Sequence, residues 1–443
     1  MREYYLTLDD CFKNGLRPTK SMPKSSQFMS YLLNARPSEV GLEPFIPTIK
    51  NLSYTFAWPF PQMFVTNKHV LVGDGTSLSE DGTAVVADVS SELWEVISYY
   101  DFVIAARDGK VFKRDPSTGV YTTYSTYQST FPIFKTGCDF RGQTVVGNLT
   151  LWPTADAEAK PNWVAASNIG EFDFSLSRKN ESMLRPCHWE GEVFNVRPLK
   201  KVVIVYGDDG IAGLYPSEQY LGYEEIANFG IHCKGAVGVG TNRHVFLGSD
   251  MKLRMIDQQM NMKLLGFEES MSLLGNKVLI SNAGHNDDFF ICDGVRCFVL
   301  AGERLYECSQ LITSCRSYGS ETLSIYYDTG IDYFLGVTDT IDFGLRTMKT
   351  ITTIELGIGA GTYSVALDWR NDSNSAFQRT SFVPVNAKGV ATIFCTAVDF
   401  RVCIKCADYK DLDLSYATVR YKLSDMTSIR GVYAPPPRGQ DVS

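Results

Sequence analysis

Histidine is scarce in this chain. His69, His188, His232, His244 and His285 are the only five among 443 residues, and no two stand in a His-Glu-x-x-His or related metal-binding spacing. There is no Gly-x-Ser-x-Gly elbow to hold a strained nucleophile. No apolar run approaches the roughly 20 residues that cross a bilayer, and the opening Met1-Arg2-Glu3-Tyr4-Tyr5-Leu6 lacks a basic region followed by an apolar core. Synthesis in a cytosol is therefore expected. Basic residues are not in excess: 42 Lys and Arg face 50 Asp and Glu, a net charge of −8, which argues against a protein that grips nucleic acid tightly. The basic residues fall in small groups (Arg17, Lys20 and Lys24; Lys200-Lys201; Arg420, Lys422, Arg430 and Arg438) rather than a stripe, as suits solvated faces and subunit contacts.

The eleven cysteines are an odd number spread from Cys11 to Cys406, without a secretion signal to place them where disulfides form. The close pair in Cys403-Ile404-Lys405-Cys406 lies in an alternating β pattern, where residues three apart point to opposite faces. A zinc site needs two such pairs or added histidines. Cys292 and Cys297, Cys308 and Cys315, Cys187-His188 and His232-Cys233 show no ligand spacing either. Free, buried thiols are expected, with no metal and no cofactor.

What the chain does have is a recurring break. Val70-Leu71-Val72 runs into Asp74-Gly75, Phe102 to Ala106 into Asp108-Gly109, Val202 to Tyr206 into Asp209-Gly210, Val245-Phe246-Leu247 into Ser249-Asp250, and Phe289-Phe290-Ile291 into Asp293-Gly294. Each reads as a β-hairpin in which Asp-Gly supplies positive φ and the flanking β-branched and aromatic residues suit a pleated, half-buried surface. Neighbouring turns lie roughly 34 to 43 residues apart, with one gap of about 101 that has room for a further hairpin around Val145-Val146-Gly147-Asn148. That period is typical of propeller blades. A closed ring of radial sheets leaves only short edges, whereas a sandwich, the main rival, demands no regular spacing.

The sequence therefore reads as all-β: a β-propeller of about six to seven blades over 62–344, an extended N-terminal arm over 1–61, and a small β-sandwich with an exposed tail over 345–443. Pro18, Pro23, Pro37, Pro44, Pro47, Pro59 and Pro61 interrupt the arm, leaving only Ser25 to Leu33 for a short helix. Phe45, Ile46, Tyr54, Phe56, Trp58 and Phe60 are too apolar for a solvated coil, so the arm is expected to pack over a neighbouring surface. In the last hundred residues Thr350 to Gly357, Tyr363 to Asp368, Asp399 to Ala407 and Tyr416 to Leu423 alternate without Asp-Gly punctuation, as in a small antiparallel sandwich. Gly357, Gly359 and Gly361 have no following helix or Lys-Ser/Thr and are read as a hairpin turn rather than a phosphate loop.

Propeller glycosidases gather carboxylates from separate blades, so the pairs Asp208-Asp209 and Asp287-Asp288 are the catalytic candidates to inspect. Both fall where turns are expected, and Asp in a turn accepts hydrogen bonds from its own backbone. The repeated Ser-x-Asp-x-Gly-x-x-Trp box of sialidase propellers is not matched by Ser79-Glu80-Asp81-Gly82-Thr83. No residue is assigned a catalytic role.

Three segments carry a resemblance. The closing stretch Ala417-Thr418-Val419-Arg420-Tyr421-Lys422-Leu423-Ser424-Asp425-Met426-Thr427-Ser428-Ile429-Arg430-Gly431 resembles the terminal strand and turn of phage tail proteins. Phe28 to Arg36, leading to Gly41-Leu42-Glu43-Pro44-Phe45, resembles the arm that begins them. Gly207 through Asn228-Phe229-Gly230-Ile231 to Gly266-Phe267-Glu268 is similar to the propeller core of the tail hub or nozzle (packaged-DNA stabilisation) proteins of short-tailed phages. The resemblance implies a non-enzymatic virion protein, made in the host cytoplasm, that forms a ring of six copies below the portal and adaptor. Such a ring passes packaged duplex DNA through its lumen without reading sequence, and no membrane insertion is implied. An acidic lumen suits that task, because basic walls would hold the duplex. Candidate assembly-interface residues are Phe28, Leu32 and Phe45 near the start and Arg420, Tyr421, Asp425, Ile429 and Arg430 near the end. The rival readings are a propeller tail enzyme that acts on polysaccharide or engages a receptor, and a cellular interaction platform.

Overall fold

The computed structural model describes residues 3–19, 27–45, 50–52, 60–66, 68–99, 102–126, 128, 130–151, 159–177, 181–218, 220–282, 287–318, 321–341, 343–344, 347–359 and 361–424. The chain divides into two compact units: one of 48–302 and 310–328, the other of 1–47, 303–309 and 329–443. This differs from the three consecutive segments read from the sequence, because both units are assembled from separated stretches.

The first unit is a propeller of seven blades. Five are four-stranded antiparallel sheets. Blade 1 is Gln62–Val65, Val70–Gly73, Ser77–Glu80 and Thr83–Ala87; blade 2 is Glu95–Tyr99, Phe102–Arg107, Lys110–Arg114 and Tyr121–Tyr124. Blade 3 is Ile133–Phe140, Gln143–Leu151, Lys160–Ala166 and Met183–Pro186, and it fills the long gap in the turn spacing. Blade 4 is Val193–Leu199, Val202–Gly207, Ile211–Pro216 and Leu221–Ala227; blade 5 is Val237–Val239, Arg243–Leu247, Leu253–Asp257 and Met262–Gly266. Blade 6 contains Leu279–Asn282, Asp288–Cys292 and Cys297–Ala301, and blade 7 contains Gln310–Tyr318 and Glu321–Asp328.

Apolar alternation explains why the sheets stack. Each blade presents apolar side chains on both faces, and neighbouring blades enclose them. Leu71, Leu78, Trp94, Val103 and Phe112 fill the space between blades 1 and 2. Val145, Val164, Trp189, Val203 and Val205 fill that between blades 3 and 4, and Ile204, Tyr206, Phe246 and Ile256 that between blades 4 and 5. Met63, Val72, Leu323 and Ile325 join blade 7 to blade 1 and so close the ring. Burying each such Val, Leu, Ile or Phe contributes about 1.5–3 kcal/mol. Closure is also made in the backbone: Lys50–Asn51 pairs in parallel with Glu321–Asp328, Lys50 opposite Leu323 and Asn51 opposite Ser324. The start and end of the propeller thus share one sheet, which removes a free edge.

All five sequence-marked turns are the hairpins between the second and third strands of blades 1, 2, 4, 5 and 6. Their chemistry departs from expectation. Only Asp108-Gly109 has positive φ at both residues, 48° and 71°, the pattern a two-residue I′ turn requires. In the turns of blades 1 and 6 the aspartate acts through its carboxylate. Asp74 Oδ1 accepts from the amides of Thr76 and Ser77 at 2.7 and 2.9 Å, and Asp293 Oδ1 from those of Val295 and Arg296 at 2.8 and 2.7 Å. These are Asx turns, which mimic a backbone turn; Gly294 still takes a positive φ of 87°.

The second unit is a two-sheet β structure. One sheet runs Ala35–Pro37, Leu42–Pro44, Leu414–Leu423, Lys349–Ile358, Val390–Ala397, with Glu3–Leu8 also paired to Leu414–Leu423. The other runs Arg304–Cys308, Met29–Leu33, Phe334–Thr338, Asp399–Cys406, Tyr363–Arg370. The described part of 1–45 is therefore not an arm laid over a surface but a contributor of strands to both sheets. The segment offered as a short helix, Ser25 to Leu33, holds the strand Met29–Leu33 antiparallel to Phe334–Thr338; the helix found is Asp10–Asn14. A partner strand some 300 residues away overrides the local preference. Gly357, Gly359 and Gly361 make no hairpin, because Lys349–Ile358 and Tyr363–Arg370 belong to different sheets. Of the arm's aromatics, Phe45 is buried beside Tyr306 and Phe60 in the propeller with Leu93 and Leu279. Ile46, Tyr54, Phe56 and Trp58 lie outside the described residues. Among the described residues no helix is long and apolar enough to cross a membrane.

Candidate functional site

The first strand of every blade faces the propeller axis, and charge collects there. A cavity of about 560 Å³ is lined by residues of all seven blades, among them Phe64, Glu95, Asp139, Arg197, Gly240, Asn282 and Arg316. A second chamber of about 60 Å³ shares Arg197 and Arg316 with the first and is bounded as well by Gln62, Leu93, Lys234, Ser281, Thr313 and Ser314. The two guanidiniums therefore partition the axis.

Glu95 anchors this arrangement. Its side chain is only 3% exposed and accepts from Arg197 Nη1 at 2.7 Å and from Thr136 Oγ1 at 2.9 Å. Thr136 Oγ1 in turn accepts from the Val196 amide at 3.1 Å, and Arg197 Nη2 donates to Asn195 Oδ1 at 2.7 Å. Lys234, in the segment entering blade 5, donates to the carbonyls of Leu93 at 3.2 Å and Lys135 at 3.0 Å. Side chains of blades 2, 3, 4 and 5 are thereby cross-tied near the axis. Burial pushes the Lys234 ammonium below its ordinary value. Burial, reinforced by the like charge of Arg197, does the same to Arg316, since removing a cation from water disfavours its charged form.

Two further polar clusters sit between blades. His244, fully buried, bridges Tyr206 Oη at 2.9 Å and the Pro198 carbonyl at 3.0 Å. The carbonyl can only accept, so Nε2 carries the proton and Nδ1 accepts from the tyrosine. Burial drives the imidazole down to about 4 and holds it neutral. Near the outer strands, His69, Glu80 and Asp81 place ligand-type atoms within 4.8 Å of one another. Arg114 is already bound there, 2.7 Å from Glu80, and Tyr121 Oη donates to Glu80 at 3.0 Å. Burial raises the Glu80 carboxyl, but the hydrogen bonds from Arg114 and Tyr121 and the charges of Arg114 and His69 outweigh it and hold Glu80 below its ordinary value. The cluster is an ion-pair knot joining blades 1 and 2.

The two carboxylate pairs singled out in the sequence do not converge. Asp208-Asp209 lies in the hairpin of blade 4, while Asp287, in blade 6, pairs with Arg243 of blade 5 at 2.9 Å. All eleven cysteines are free thiols; burial raises Cys403 to about 12. The interface candidates need correction. Leu32, Phe45 and Tyr421 are interior; Tyr421 stacks on Tyr4 and lies tilted against Phe343, with centroids 5.5 and 4.3 Å apart, because alternation along Leu414–Leu423 turns it inward. Phe28 is half-buried. Arg420 is part-exposed and pairs with Glu355 at 2.9 Å. Asp425, Ile429 and Arg430 lie outside the described residues. Glu95, Arg197, Lys234 and Arg316 were not singled out by sequence reasoning. The available signal was a charge inside a mainly apolar first strand, as in Val193–Leu199.

No protein-family model matches the chain, and no curated protein sequence matches it. Solved structures similar to it include BamB from Moraxella catarrhalis, 9% identical over 63% of this chain and 79% of that one, with a TM-score of 0.38. Hsv2 from Kluyveromyces lactis is 9% identical over 65% of this chain and 89% of that one, with a TM-score of 0.37. Similarity this distant carries nothing about activity or partners. The strand pairing described above is what makes this chain a β-propeller.

Proposed function

We propose that this protein is a structural component of a phage tail, a hub or nozzle ring of about six copies below the portal and adaptor that helps retain packaged DNA and later passes it. The observation that carries the reading is the use of the axial charges. Glu95, Arg197 and Lys234 are spent on tying blades together, which stiffens a scaffold, and both oxygens of Glu95 are committed. A glycosidase axis instead needs carboxylates free to act as acid and base or nucleophile. Support also comes from the resemblance of the opening, central and closing segments to tail hub proteins. In this reading each propeller is a solid building block, its axis partitioned by Arg197 and Arg316, and the DNA channel lies between copies around the ring.

The test is genetic and structural. Phage carrying a nonsense mutation in this gene should fill their heads and then lose DNA, and electron microscopy of wild-type tails should show a ring of this chain beneath the adaptor. Infectious, DNA-retaining particles from the mutant would overturn the proposal. A saturable polysaccharide-cleaving activity in the purified protein would favour the tail-enzyme alternative.

A further inference from the structure

The smaller axial chamber combines three features that point to one ligand chemistry. Its lining carries three cations, Arg197, Arg316 and Lys234, and no carboxylate. Among the described residues Arg316 forms no ion pair, its one hydrogen bond running from Nη1 to the carbonyl of Cys315 at 3.0 Å. Ser281, 3% exposed, lines the same chamber, and its hydroxyl has no hydrogen-bond partner. Both Glu95 oxygens are taken by Arg197 and Thr136, so Glu95 reaches Arg316 only as a more distant charge. The acid on the larger cavity, Asp139, is exposed and accepts from the backbone of its own turn at Phe140 and Gly142.

We propose that this chamber binds a small inorganic oxyanion of the phosphate or sulfate class, held by Arg316 and Ser281 with Arg197 and Lys234 alongside. A part-buried guanidinium such as Arg316 without an anion is costly, and a buried donor left without an acceptor adds to that cost. A tetrahedral oxyanion answers both, because several oxygens accept at once and a guanidinium fork matches two of them. The size agrees: a water needs about 10–15 Å³ of such cavity volume, so about 60 Å³ takes roughly four to six heavy atoms, the size of a tetrahedral oxyanion. The 560 Å³ cavity on the other side of the guanidiniums supplies a route inward. The site would act as a keystone, joining blade 6 through Ser281 to blades 4 and 7 through the arginines.

Isothermal titration calorimetry of the full chain with inorganic phosphate, at constant ionic strength maintained with chloride, tests this. The expected result is saturable binding of one phosphate per chain, weakened at least ~10-fold in Arg316→Gln and severalfold in Ser281→Ala. Ser281→Ala removes only an unpartnered hydroxyl, so it stays informative if Arg316→Gln does not fold. A wild type that shows no saturable heat with either phosphate or sulfate at millimolar concentration overturns the proposal. Unchanged affinity in Ser281→Ala and in any folded Arg316→Gln does so as well.

Discussion

Removing the charge of Glu95 should destabilise the propeller more than its small change in shape suggests. Glu95→Gln preserves volume and still accepts from Thr136, so packing and that 2.9 Å bond survive. What disappears is the carboxylate 2.7 Å from Arg197, on a side chain only 3% exposed, leaving the Arg197 guanidinium without its ion pair. Breaking a buried ion pair from one side costs about 3–5 kcal/mol, because the remaining charge stays desolvated. Arg197→Met should cost a similar amount by stranding Glu95. The double variant Glu95→Gln/Arg197→Met should recover much of the loss, since a neutral pair pays neither penalty. Urea unfolding followed by tryptophan fluorescence measures this in the correct unit, since five of the six tryptophans lie within 48–302. A loss below ~1 kcal/mol in Glu95→Gln, the range of an exposed pair, or strictly additive losses in the double variant, would refute the argument.

Three other outcomes follow from the clusters between blades. Burial lowers the His244 imidazole to about 4, from an ordinary value of 6.5. Its folded form resists protonation, so its contribution is fully present above about 6.5 and is lost as pH falls toward 4, on the order of 3 kcal/mol at 1.36 kcal/mol per pH unit; His244→Gln should flatten the stability profile over that window in denaturation at successive pH values. Glu80 is held below its ordinary value of 4.5, so its stabilisation is present above about pH 4.5 and disappears as pH falls through the folded value. Wild type and Glu80→Gln should differ in melting temperature at pH 7 and converge in acid, and a difference that persists there would exclude the ion-pair account. Gly73→Ala would drive its methyl into the buried Trp94 ring, which is pinned by its own Nε1–H to the Asp74 carbonyl at 2.8 Å, and should cost about 1–3 kcal/mol by overpacking. Thermal unfolding with no loss would show that the ring is free to move.

The blade repeat was written in the sequence because hairpin chemistry is local. An aspartate that caps its own turn, flanked by β-branched and aromatic runs, says the same thing wherever it occurs, and five such signals at one period specified a ring of sheets. Blade 7 carries no Asp-Gly signal and is closed by Lys50–Asn51, a pairing that no local pattern announces. The inward turn of Leu32 and Tyr421 was likewise undecidable, since alternation says which residues share a face but not which face is covered. Only the tertiary structure could bring Glu95, Arg197, Lys234 and Arg316 together, because they stand on different blades as much as 221 positions apart and owe their proximity to closure of the ring. Desolvation, which gives those charges their energetic weight, is a property of the assembled axis and of no segment within it.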